Sequence, residues 1–223
     1  MKSLQEYINE SELKTDLSTN KVQPKTKDEL KEIIKDTFEH KQYDLNFIDT
    51  NKITDMSKLF TNCKYDFDIS DWDVSNVTDM NHMFYDCDNF NCDLSKWNVS
   101  KVVNMFSTFS SCKKFEGKGL ENWDVSAVTD MHYMFYKCKT FNCDLSKWNV
   151  SKVTNMDNMF SECKNFNCDL SKWDVSKVTN MDNMFDGCKK FNCDLSDWDI
   201  SNITLWKNMF DGCNKMTIPN WYK

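Results

Sequence analysis

Apolar positions recur along this chain with a fixed period, and their spacing changes partway through each copy. In the copy FNCDLSKWDVSKVTNMDNMFDGCKK, residues 166–190, Leu170, Trp173 and Val175 follow L-x-x-W-x-V, which ends in the alternation of a short half-buried strand. Val178, Met181, Met184, Phe185 and Cys188 then fall at i, i+3, i+6, i+7 and i+10, a stripe that predicts a short helix with Ser176 as its N-cap. The tryptophans Trp72, Trp97, Trp123, Trp148, Trp173 and Trp198 are 25, 26, 25, 25 and 25 residues apart. A unit this short cannot bury its apolar face alone and must stack on its neighbours. The pattern therefore predicts an α/β repeat solenoid, with a parallel strand ladder on one face and short helices on the other.

Three regions follow from the same reading. Residues 1–20 form an amphipathic leader, with Leu4, Tyr7, Ile8 and Leu13 on one helical face and Ser3 as N-cap. Residues 21–45 hold a linker around Pro24 and a helix opened by Thr26 with Glu29 three residues on, whose face of Leu30, Ile33, Ile34, Thr37 and Phe38 is expected to cap the first repeat. Residues 46–223 carry about seven repeats. The first is degenerate, with Ile48 in the tryptophan position. The third is interrupted by Glu116-Gly117-Lys118-Gly119, expected as a surface bulge, and Pro219 suits a final edge strand.

The phrase MFxxCxxFNxDLSxWDVSxVTxM resembles the BspA-like leucine-rich repeats of bacterial surface proteins, protists and viruses. That resemblance implies a horseshoe or straight solenoid used for binding, with no chemistry of its own. The first ten residues, MKSLQEYINE, resemble the capsid-targeting peptides of large tailed phages, which are cleaved after (Ile or Leu)-x-Glu. Ile8 and Glu10 would then be processing residues.

Composition narrows the function further. The net charge is −7, and all 28 basic residues are lysines, so the phosphate neutralisation that nucleic-acid binding requires is missing. No stretch of 18 or more apolar residues predicts a membrane span, and the amino terminus has no apolar secretory core. The expected location is cytoplasmic or virion-associated.

Eleven cysteines invite a metal or disulfide reading. Seven (Cys63, Cys87, Cys112, Cys138, Cys163, Cys188 and Cys213) follow the Met-Phe pair, and four (Cys92, Cys143, Cys168 and Cys193) precede Asp-Leu-Ser. C-x4-C spacing without histidine is a poor zinc match, and Phe67 replaces the second cysteine in the first repeat. Free buried thiols, some disulfides and metal ligation stay open, with thiols favoured by the odd number and the missing export signal. The aspartate ladders before leucine and after tryptophan read as turn caps rather than calcium ligands. His40, His82 and His132 form no catalytic set, and no cofactor motif is present.

The positions flanking each tryptophan remain as the partner-binding face: Asp71 and Asp73, Lys96 and Asn98, Asn122 and Asp124, Lys147 and Asn149, Lys172 and Asp174, and Asp197 and Asp199. The expected function is a non-enzymatic protein-binding or structural module using that strand face. The alternatives are a phage or viral virion-associated protein directed by its leader, and a cell-surface adhesin.

Overall fold

Tight turns, one after another, carry the chain around each repeat. This computed structural model describes residues 21–222; the leader helix and its processing residues Ile8 and Glu10 lie outside the described residues. Within one repeat, N–H groups of Trp173, Val178, Met184, Asp186, Cys188 and Phe191 donate to carbonyls three residues back, on Leu170, Val175, Met181, Asn183, Phe185 and Cys188, at 2.9–3.2 Å. Six turns complete one coil.

The expected strand ladder and short helices are therefore not formed. Among the described residues there is no strand, and the helices are α1, Lys27–Glu39, and a 3-10 turn, Leu120–Asn122. Apolar residues three apart fit the pitch of consecutive i→i+3 turns as well as they fit a helical stripe. Two residues per coil settle the choice: Asn183 at φ 53° and Gly187 at φ 72° are left-handed, and a right-handed helix cannot run through them. The L-x-x-W segment fails as a strand because it is itself a turn. Asp169 draws in the Ser171 amide at 2.9 Å, and the Leu170 carbonyl meets the Trp173 amide at 3.0 Å.

Coils 1 to 7 are counted here by their Met-Phe segments, residues 56–63, 80–87, 105–112, 131–138, 156–163, 181–188 and 206–213. They stack through isolated parallel bridges that run Asp55, Asp79, Asn104, Asp130, Asn155, Asn180, Leu205. At each interface alternate amides of one coil reach the next: Met156, Asn158, Phe160 and Glu162 donate to the carbonyls of Asn180, Asp182, Met184 and Asp186. Backbone polarity is thus satisfied between coils without an extended strand.

Two phenylalanine columns fill the core. Phe60, Phe84, Phe109, Phe135, Phe160, Phe185 and Phe210 stack at 5.2–5.8 Å. Phe84, Phe109, Phe135, Phe160 and Phe185 also lie 4.1–4.3 Å from Phe90, Phe115, Phe141, Phe166 and Phe191 of the second column. Each tryptophan then ties its coil to the one before. The indole N–H groups of Trp72, Trp97, Trp123, Trp148, Trp173, Trp198 and Trp221 donate at 2.8–3.2 Å to the carbonyls of Leu45, Ile69, Leu94, Leu120, Leu145, Leu170 and Leu195.

Helix α1 starts where Thr26 Oγ1 accepts the Glu29 amide at 3.2 Å, and it buries Leu30, Ile33, Ile34 and Thr37 in the same core. Lys27 Nζ holds it to coil 1 through Asp55 Oδ1 and Ser57 Oγ. The insertion in the third repeat reaches the surface only at Glu116 and Lys118. Gly117 and Gly119 are buried, and a Cβ on Gly119 would stand 2.2 Å from the Ser95 amide nitrogen. At the last coil Pro219 accepts the Tyr222 amide in a turn, where an edge strand was expected.

Candidate functional site

The residues beside the tryptophans sit on turns, not on a sheet face. All twelve are exposed, in a row along the stack. Asp73, Asn98, Asp124, Asn149, Asp174 and Asp199 spend a side-chain oxygen on the amide two residues on, at 3.0–3.2 Å from Ser75, Ser100, Ser126, Ser151, Ser176 and Ser201. Hydrogen bonds from Ser126, Ser176 and Ser201 hold Asp124, Asp174 and Asp199 below the usual carboxylate range. Of the residues before tryptophan, Asp71 and Lys96 pair with each other, while Asn122, Lys147, Lys172 and Asp197 point to solvent from their turns. The structure lines the twelve up but gathers no site from them.

The cysteines serve the interfaces. All eleven are free thiols. Cys87, Cys112, Cys138, Cys163, Cys188 and Cys213 donate at 2.8–3.0 Å to the carbonyls of Phe60, Phe84, Phe109, Phe135, Phe160 and Phe185, one coil back. Cys168 and Cys193 accept the Leu145 and Leu170 amides at 3.0 and 3.2 Å. Burial pushes the thiols of Cys92 and Cys168 up to about 12 and that of Cys193 up to about 11. A nucleophile or metal ligand needs the thiolate, which burial disfavours here.

The feature that sequence reasoning passed over lies along the Met-Phe segments of coils 2 to 4. The position after the first methionine, or its equivalent Trp206, carries Asn81, Phe106, His132, Asp157, Asp182 and Lys207 in successive coils. The next position carries His82, Ser107, Tyr133, Asn158, Asn183 and Asn208, and the position after phenylalanine Tyr85, Ser110, Tyr136, Ser161, Asp186 and Asp211. Rings occur in coils 2 to 4, and Asp, Asn, Ser, Thr or Lys elsewhere. His82 and His132 read singly as surface substitutions; column by column they join a cluster.

In space the rings touch. Phe106 stacks on His132 at 3.8 Å and 12°, and meets His82 edge-on at 4.5 Å. His82 lies 5.4 Å from Tyr85, His132 5.9 Å from Tyr133, and Tyr133 5.3 Å from Tyr136, over which Lys137 Nζ sits at 4.6 Å. Tyr85 is exposed and the other five are half-buried, so the cluster is a surface and not core. Burial, with Lys58 and His132 nearby, pushes the His82 imidazole below its usual range. His132 Nδ1 is held by Asp130. Beyond it, burial and the neighbouring Asp182 push the Asp157 carboxyl up. The result is a partly exposed cluster of one stacked and several edge-on or tilted ring pairs, bordered by carboxylates.

The two halves of this stack, residues 28–119 and 105–221, each match the model of a family described as Mycoplasma protein of unknown function, DUF285. The chain belongs to that family. The match replaces the resemblance to BspA-like leucine-rich repeats, and the missing strands agree with the correction. No curated protein and no solved structure matches this DUF285 chain. The two matched segments overlap across residues 105–119, so the aromatic platform straddles their junction. No helix among the described residues is long and apolar enough to cross a membrane.

Proposed function

We propose that this DUF285 chain is a non-enzymatic binding module that takes a protein partner on the aromatic platform of coils 2 to 4. One observation carries the reading: six rings, His82, Tyr85, Phe106, His132, Tyr133 and Tyr136, gather at columns that hold Asp, Asn, Ser and Lys in later coils. The phenylalanine columns already fill the core, so stacking of the coils does not require these rings. Half-exposed aromatics with polar tips are the side chains enriched at interfaces. The protonated interface thiols support a role without covalent chemistry.

Site-specific photocrosslinking tests the proposal. A benzophenone residue replacing Tyr133 is expected to give adducts in the native source, and one replacing Lys172 in the tryptophan row is not. Adducts from position 172 alone would return the binding face to that row.

A further inference from the structure

The platform does not end at His132. In the same column, one and two coils on, stand the half-buried carboxylates of Asp157 and Asp182. Some surface aspartates find lysines: Asp86 and Asp88 with Lys64, Asp88 with Lys113, Asp93 with Lys118, Asp71 with Lys96. Among the described residues neither Asp157 nor Asp182 has a cationic side chain within ion-pair distance. Asp157 has neutral partners, the Asn158 side-chain amide at 2.6 Å and the Asn183 side chain, and Asp182 accepts the Lys207 backbone amide at 2.6 Å. Two neighbouring carboxylates held partly out of water repel each other, and burial with Asp182 raises Asp157 accordingly.

We infer that the partner presents a cationic, arginine-bearing segment to this face, a guanidinium stacking on the Phe106–His132 rings while it pairs with Asp157 and Asp182. The inference rests on the reading of the platform as the binding surface. A guanidinium satisfies both halves of the site: its plane stacks on aromatic faces and its fork of N–H donors fits carboxylates, whereas an ammonium offers only a point charge. The chain supplies no arginine of its own. A second copy would bring carboxylates against carboxylates, and an acidic or phosphate-bearing ligand would meet the same repulsion.

Calorimetric titration of the full chain with three synthetic peptides, Arg-Gly, Lys-Gly and Glu-Gly repeats of equal length, tests this at about physiological ionic strength. The arginine peptide is expected to bind, the lysine peptide at least about threefold more weakly, and the glutamate peptide not at all. Phe106→Ala, which changes no charge, is expected to weaken arginine-peptide binding about fivefold or more, and His132→Asn serves as a second uncharged probe. Asp157→Asn with Asp182→Asn is expected to weaken it about tenfold. Asp169→Asn with Asp194→Asn, which keeps both turn caps away from the platform, is expected to leave it unchanged.

Equal binding by parent, Phe106→Ala and His132→Asn would overturn the inference, as would failure of the arginine peptide to bind. If crosslinks from position 133 persist while the arginine peptide fails, the partner chemistry is wrong and the surface stands; if both fail, both readings fall.

Discussion

Trp173 donates its indole N–H to the carbonyl of Leu145, 3.0 Å away and one coil back. Both groups are buried, and the same bond recurs at every interface from Trp72 to Trp221. Replacing Trp173 by Phe keeps most of the apolar contact but leaves that carbonyl without its donor. A loss of about 2–4 kcal/mol in urea unfolding is expected, combining the orphaned acceptor with lost packing. An unchanged midpoint would show that the bond contributes nothing.

Tyr133 occupies a left-handed backbone position, φ 58°, where the equivalent residues of coils 5 to 7 are Asn158, Asn183 and Asn208. Asparagine occupies that region at lower cost than tyrosine. Tyr133→Asn is therefore expected to raise stability by about 0.5–1 kcal/mol while weakening partner capture, a trade between folding and binding. Thermal unfolding and the crosslinking yield from position 136 read the two effects separately.

Gly119, at φ 94°, packs against the backbone of Ser95. No flexible side chain there can yield to a methyl group. Gly119→Ala should cost about 2–4 kcal/mol, through left-handed strain and the clash together. An alanine variant as stable as the parent would mean that coils 2 and 3 separate easily at this point.

Alkaline pH should unfold the protein through its thiols. An exposed cysteine ionises near 9.0, whereas in the folded chain Cys92 and Cys168 hold their protons to about 12 and Cys193 to about 11. Above pH 9 the unfolded chain thus releases protons that the folded chain keeps. The thiol contribution to stability is complete below that pH and declines as pH rises towards 11–12, by about 1.4 kcal/mol per unit for each thiol involved. A urea midpoint at pH 10 equal to that at pH 8 would contradict this. Under native conditions Cys63 and Cys143, the two half-buried thiols, are expected to react first with a thiol reagent.

Sequence spacing made the period and the stacking legible, because Trp72 to Trp198 mark identical places in successive coils. It misjudged what lies between them. Val178, Met181 and Met184 are three apart, a spacing that turns and helices share; the sign of φ at Asn183, which separates the two, leaves no trace in hydrophobicity. The Asp-x-Ser phrases did announce their turns, since Asp169 and Asp174 bond the Ser171 and Ser176 amides. The thiol hydrogen bonds were invisible, as cysteine reads equally as a small apolar residue. Phe106 and His132 each look like a single departure within one repeat, and only alignment across coils sets them side by side.

Every interface draws on one kit of parts: five backbone hydrogen bonds, an indole bond and a thiol bond. The molecule can therefore change length only in whole steps. Excising residues 142–166 would join Phe141 to Asn167, restore FNCDLSKWDVS in register and rejoin each column one step shorter. A cut one residue longer would shift every later column by one place, setting Phe185 in the slot of Met184 and Phe191 in that of Lys190. The same step would bring Asp182 beside His132 in the place of Asp157, so the spacing between platform and carboxylates is counted in coils.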